Sequence, residues 1–78
     1  MKLEIISSEE VLYTGEVNSV TLPGAMGEFT VLRNHASLLA ALNRGNVRYS
    51  CTDGTEGVSA IGGGIADVDN NVVTVCVY

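Results

Sequence analysis

Short apolar segments with a spacing of two residues recur along the whole chain, and this alternation constrains the fold more than any other feature. In KLEIIS, Leu3 and Ile5 fall on one face of an extended segment, and Val73, Val75 and Val77 do the same near the carboxyl end. Successive side chains of a strand point to opposite faces, so this spacing is typical of strands with one buried face. The pattern predicts seven or more strands in an all-β sandwich or barrel.

Turn-forming residues separate these segments. Pro23-Gly24 ends VLYTGEVNSVTL, and Asp53-Gly54 follows NVRYSC as a predicted hairpin turn. The triplet Gly62–Gly64 interrupts VSAIGGGIADV, which we interpret as one strand whose glycines mark a bulge or the close approach of another backbone. A phosphate-binding loop would require a following helix and a lysine, whereas the only lysine is Lys2.

One segment does not alternate. In HASLLAALNRG, the three leucines Leu38, Leu39 and Leu42 fall at helical spacing, Ser37 is a possible helix cap and Gly45 a possible helix end. At this length, periodicity does not distinguish a helical turn from a buried strand. Both a helical turn and a buried strand are compatible with this segment.

Length and charge limit the classes of protein to consider. A chain of 78 residues supports one core, which predicts a single domain over residues 1–78. The net charge of −5 disfavours binding to nucleic acid and to anionic lipid. No apolar run approaches the roughly 18–20 residues that span a bilayer, and no signal peptide is evident, which predicts a soluble cytoplasmic protein.

The residues that could support chemistry are few and scattered. Cys51 and Cys76 are too far apart for a metal-binding pair, and we expect both to be buried as small apolar side chains. No motif typical of a nucleophilic serine is present, so neither an enzyme nor a metal or cofactor site is expected. Asp67 and Asp69 share one face of a strand and could hold a hard cation weakly.

The single histidine, His35, stands in GEFTVLRNHASLL without an acid or a cysteine close by. One interpretation is a turn histidine that hydrogen-bonds local backbone and orders its loop. The other is a docking surface on which Leu38 and Leu39 add apolar contact. Composition does not choose between them.

The order of four segments is more specific than any one of them. The opening LEIISSEEVLYTGEVNSVTLPGAMGEFTVL, the turn NHASLL, the strand GNVRY and the ending GGGIADVDNNVVTV follow one another without large gaps. Together they resemble the amino-terminal domain of the epsilon subunit of bacterial F-type ATP synthases, whose mitochondrial equivalent is called delta. The resemblance implies a flattened β-sandwich of about ten short strands.

The resemblance also implies a function and a set of partners. It predicts a non-catalytic rotor subunit of the central stalk that links the gamma subunit to the c-ring and couples ion flow to ATP synthesis. Such a subunit lies peripherally at the cytoplasmic face of the bacterial inner membrane, associates with the membrane only through the complex, and needs no cofactor. Glu28 matches a position that faces the c-ring loops, and the turn that packs on gamma matches His35, Ala36, Leu38 and Leu39.

Two departures from the family pattern stand out. Family members usually carry proline where this chain has Arg33 and Ser37, so the loop is expected to be less rigid than usual. Family members also commonly continue into a carboxy-terminal hairpin of two helices, which residues 1–78 do not include.

Two proteins of other classes are also compatible with the sequence. One is a free-standing β-sandwich that binds a small ligand or a cation through Asp67 and Asp69. The other is a small hydrolase that uses His35.

Overall fold

The computed structural model describes all residues 1–78 and contains strands but no helix, which confirms the all-β prediction. No element is a helix long and apolar enough to cross a membrane. The eight strands are β1 (Lys2–Ile6), β2 (Val11–Leu22), β3 (Phe29–Leu32), β4 (Leu38–Leu42), β5 (Gly45–Cys51), β6 (Glu56–Ile61), β7 (Gly64–Asp69) and β8 (Val72–Val77).

The strands form two sheets that share β2. The first sheet has the order β4-β7-β8-β1-β2, with β1 and β8 parallel and all other pairs antiparallel. In the second sheet, β2 lies between β3 and β5, and β6 follows β5. Because the 12-residue β2 is one continuous strand that serves both sheets, the strand count is eight and not the ten that the resemblance implies.

The core lies between the two sheets and draws on both. Alternation accounts for it directly: along β7, every second residue is buried. Fully burying a valine, leucine or isoleucine side chain contributes about 1.5–3 kcal/mol each. Val77, which shares a face with Val73 and Val75, is only partly buried and packs against this core. The core comprises Leu3, Ile5, Val17, Val20, Leu22, Val31, Leu42, Val47, Ile61, Ala66, Val68, Val73 and Val75.

The leucine-rich segment is a strand and not a helical turn. β4 pairs antiparallel with β7, with Leu38 opposite Val68 and Leu42 opposite Gly64. Its side chains alternate accordingly, because Leu42 is buried, Leu38 packs against the core and Leu39 is exposed.

The glycine triplet is a turn, which corrects the prediction of one interrupted strand. The chain leaves β6 in the second sheet at Ile61 and enters β7 in the first sheet at Gly64. Gly63 has a φ of 126°, a conformation that favours glycine. The expected close approach of another backbone is confirmed at Gly64, where a methyl group would overlap the carbonyl of Cys76.

The cysteines correct a second prediction. Cys76 is exposed and Cys51 is half-buried, and both are free thiols. β8 is apolar on both faces, and its partners in the sheet turn Val73 and Val75 inward, so Cys76 lies on the outer face.

Candidate partner-docking site

An apolar groove lies along the outer edge of β4. At that edge, β4 makes a single bridge, between Leu42 and Gly24, and β3 is likewise an edge strand that pairs only with β2. The groove encloses about 450 Å³, and most of its lining is apolar. It is lined by Gly24, Ala25, Met26, Gly27, Phe29, Thr30, His35, Leu38, Leu39, Ala40 and Ala41.

The loop after β2 forms one wall of this groove. The Ala25 N–H donates to the Ala41 carbonyl at 2.8 Å, and the Asn43 N–H donates to the Pro23 carbonyl at 2.8 Å. These bonds hold the loop against the carboxyl half of β4. Met26, at the tip of the loop, is fully exposed.

The turn between β3 and β4 forms the end of the groove, and His35 lies in it. The His35 ring Nδ1 lies 2.7 Å from the Ala36 carbonyl oxygen, and its backbone N–H donates to the Leu32 carbonyl at 3.3 Å. The local hydrogen-bonding interpretation of this histidine is therefore confirmed. The same ring also lines the groove beside Leu38 and Leu39, so both interpretations are compatible with one geometry.

The predicted docking residues come together in space. His35, Leu38 and Leu39 line the groove, and Ala36 is exposed at the turn and accepts the bond from the histidine ring. Leu39 is more exposed than Leu38, with 72% of its surface accessible. Sequence reasoning missed the other wall, formed by residues 24–27, because only the folded β4 edge brings it to the leucines.

Glu28 does not line this groove, but it directly precedes β3 and stands between Gly27 and Phe29, which do. Its carboxylate accepts a hydrogen bond from the Arg48 guanidinium at 3.1 Å, and both side chains are more than half exposed. The two residues come together because Thr21 of β2 pairs with Thr30 on one side and Arg48 on the other. This ion pair could not be predicted from the sequence, because it depends on the strand order.

The two aspartates of β7 share the outer face of the first sheet, as expected. Asp67 and Asp69 are both exposed, and Asp69 accepts a hydrogen bond from the Ser37 hydroxyl at 2.7 Å. No three side chains of histidine, cysteine, aspartate or glutamate form a group that could hold a metal ion. Nothing in this geometry favours the cation-binding alternative.

Groups with shifted pKa values lie away from the groove. The Tyr13 hydroxyl lies 3.5 Å from the Cys51 sulfur, and its ring lies 4.4 Å from the Tyr49 ring between centroids. The hydrogen bond to Cys51 and burial raise the pKa of Tyr13 to about 12. Burial also raises the pKa of Tyr49, whereas hydrogen bonds from Thr55 lower the pKa of Asp53.

The fold and the groove define a small β-sandwich module whose main surface feature is an apolar groove at an open sheet edge. The chain belongs to the family described as the ATP synthase Delta/Epsilon chain beta-sandwich domain, which matches residues 1–78. The resemblance found in the sequence is thereby confirmed.

The relatives of the chain are epsilon chains of bacterial ATP synthases. The chain is 45% identical to the ATP synthase epsilon chain of Chlorobaculum tepidum over 69 residues, covering 88% of this chain and 78% of the relative. It is also 45% identical to that of Campylobacter jejuni subsp. doylei over 75 residues, covering 96% of this chain but 58% of the relative. The chain therefore spans only part of its relatives' length.

Chains of two solved ATP synthase structures are similar in fold. A chain of the Euglena gracilis mitochondrial ATP synthase, from a structure of OSCP/F1/c-ring, superimposes with a TM-score of 0.88 at 26% identity, covering 96% of this chain and 48% of that chain. A chain from the central stalk/c-ring structure of the Tetrahymena thermophila mitochondrial ATP synthase has a TM-score of 0.81 at 16% identity, which shows the shared fold. This chain covers 62% of it.

Proposed function

We propose that residues 1–78 form one epsilon-type domain of an ATP synthase rotor, a non-catalytic part that links the gamma subunit to the c-ring and couples ion flow to ATP synthesis. The match over residues 1–78 to the delta/epsilon family is the observation that carries this proposal. In that role the chain lies at the cytoplasmic face of the bacterial inner membrane and reaches the membrane only through its complex.

The groove is the proposed docking site for gamma. His35, Ala36, Leu38 and Leu39 present an apolar surface with a polar rim at one end. Protein interfaces combine a desolvated apolar centre with such a rim, and the exposed Leu39 is suited to the centre. The open half of the β4 edge leaves this surface free of other strands.

Glu28 is the proposed contact with the c-ring. Its carboxylate already pairs with Arg48, but an exposed ion pair contributes only about 0–1 kcal/mol. Exchanging Arg48 for a basic side chain of a partner loop therefore costs little free energy. Glu28 itself does not line the groove, although its neighbours Gly27 and Phe29 do, so the two proposed contacts are adjacent on the surface.

A rotor part of this kind makes and breaks no bonds, and its task is to transmit torque without slipping. Continuous hydrogen bonding through β2 ties the two sheets into one unit, and 13 buried residues fill the space between them. Close-packed interiors have low compressibility and transmit strain. The fold is therefore suited to carrying load between two interfaces.

Two substitutions with opposite expectations test the assignment of the two surfaces. We expect Leu39→Asp to weaken binding to the gamma subunit and to leave binding to the c-ring unchanged, because it places a charge in the groove. Glu28→Arg should weaken binding to the c-ring and leave binding to gamma unchanged. Surface plasmon resonance with each purified partner measures both.

Val58→Asp is the matched control, since Val58 is a similarly exposed apolar residue, 62% accessible, on β6. It should affect neither partner. Equal loss of both partners in either test variant, with the control unaffected, would contradict the assignment of separate surfaces.

A further inference from the structure

Two turns that are distant in sequence are joined by reciprocal hydrogen bonds. The Asn34 backbone N–H donates to Asn71 Oδ1 at 2.6 Å, and Asn71 Nδ2 donates to Asn34 Oδ1 at 2.9 Å. Both asparagines have a φ of 61°, in the left-handed region where asparagine is enriched. A third bond, from the Ser37 hydroxyl to Asp69 at the end of β7, joins the same two regions at 2.7 Å.

The β3–β4 turn makes few hydrogen bonds within itself, so the bonds from the neighbouring turn contribute to holding its conformation. Within residues 33–37, the local bonds are the 3.3 Å contact from the His35 N–H to the Leu32 carbonyl and the contact of the His35 ring with Ala36. The bonds from Asn71 and from Asp69 therefore hold Asn34 and Ser37, on either side of His35. Asn71 makes two of them although it lies 37 residues further along the chain.

We propose that Asn71 is a positioning residue for partner docking: from the β7–β8 turn, it holds the β3–β4 turn in the conformation that presents His35 to the gamma subunit. This inference rests on the proposed function, because it assigns to Asn71 the task of shaping a surface that Asn71 does not itself form. Asn71 does not line the groove.

The expected effect on the affinity for gamma follows from the pre-organisation of the β3–β4 turn in the free chain. Each exposed hydrogen bond contributes modestly to the population of the bound-like turn, and the apparent dissociation constant rises as that population falls. Loss of both bonds to Asn71 should raise the dissociation constant for gamma by about tenfold. The side chains of β4 should keep their positions, because the β4 backbone still pairs with β7.

The test compares Asn71→Gly with Asn70→Gly. Both asparagines have positive φ, 61° and 50°, so glycine fits both sites without strain, but only Asn71 makes side-chain bonds to the β3–β4 turn. Isothermal titration calorimetry of each variant with the gamma subunit from the same organism gives the dissociation constants, at a temperature where urea melts show every variant folded. We expect a tenfold loss for Asn71→Gly and wild-type affinity for Asn70→Gly.

Amide hydrogen exchange of the free chain separates positioning from direct contact. Exchange of the Asn34 and His35 amides should accelerate in Asn71→Gly and stay unchanged in Asn70→Gly. Asn71→Asp keeps an acceptor for the Asn34 N–H and should recover much of the affinity.

The outcomes are distinct. Wild-type affinity in Asn71→Gly, or a loss of affinity without faster exchange at Asn34, would overturn the positioning role while leaving the proposed function intact. Failure of the folded wild-type chain to bind gamma at all would overturn the proposed function, and with it this inference.

Discussion

At the scale of single residues, the first and last glycines of the triplet Gly62–Gly64 have different surroundings. A methyl group at Gly64 would overlap the Cys76 carbonyl, whereas a methyl group at Gly62 would meet nothing within 4 Å. The difference arises because Gly64 already belongs to β7 and faces the backbone of β8, while Gly62 lies in the exposed turn.

Alanine substitutions at these two glycines should therefore differ sharply. We expect Gly64→Ala to destabilise the fold by about 1–3 kcal/mol, because backbone must move to admit the methyl group. Gly62→Ala should change the free energy of unfolding by less than about 0.5 kcal/mol. Urea denaturation of both variants measures the difference, and equal effects would contradict the placement of the turn.

The tyrosine pair predicts a dependence of stability on pH. The pKa of Tyr13 is raised from its ordinary 10.0 to about 12 in the folded chain, so the folded state holds a proton that the unfolded chain releases. Its contribution to stability is complete below pH 10 and is lost as the pH rises towards 12.

Replacement of Cys51 tests the cause of this shift. We expect Cys51→Ala to lower the pKa of Tyr13, because the hydrogen bond to the Cys51 sulfur is its largest cause. Ultraviolet absorbance of tyrosinate during titration measures the change, and Tyr13→Phe assigns the signal. An unchanged titration curve in Cys51→Ala would show that another contact raises the pKa.

At the scale of elements, β4 decides how the candidate site is built. As a strand it directs Leu38 towards the core and Leu39 into solvent, and its outer edge forms one side of the groove. A helical turn at the same place would have put different side chains on the surface. The site thus depends on the pairing of β4 with β7.

Leucine truncations test this orientation of β4. Leu38→Ala should cost about 1–2 kcal/mol in the isolated chain, less than a fully buried leucine because Leu38 is half-buried. Leu39→Ala should change the free energy of unfolding by less than about 0.5 kcal/mol. Thermal and urea melts give both values, and a larger cost at Leu39 would mean that the strand faces the other way.

Local chemistry predicted the elements that are fixed by short-range sequence. Alternation identified the buried face of β1, and the hairpin turn at Asp53-Gly54 joins β5 to β6, with Gly54 at a φ of 91°. These features need only the two-residue period and a glycine that tolerates positive φ.

Long-range pairing decided the features that the sequence did not predict. A glycine turn between two strands and a bulge within one strand have the same local sequence pattern. The prediction of one strand through Gly62–Gly64 is therefore wrong, because only the strand order distinguishes the two. Cys76 lies in a run that is apolar on both faces, and only its sheet partners determine which face is inward. The ion pair of Glu28 with Arg48, and the loop wall of the groove, likewise require the strand order.

At the scale of the whole molecule, two surfaces of different chemistry stand on one sandwich of 28 × 24 × 18 Å. The groove is apolar, whereas the Glu28 surface is charged. The continuous β2 connects both sheets, so force applied at one surface passes through hydrogen-bonded backbone to the other. This arrangement suits a part that turns with two partners at once.

Binding of the folded chain to the gamma subunit from the same organism is the direct test of the proposed rotor role. Size-exclusion chromatography with light scattering should show a complex containing one copy of each, and circular dichroism establishes beforehand that the chain is folded. Separate elution of a folded chain and a folded gamma subunit, at concentrations well above the micromolar range, would contradict that role.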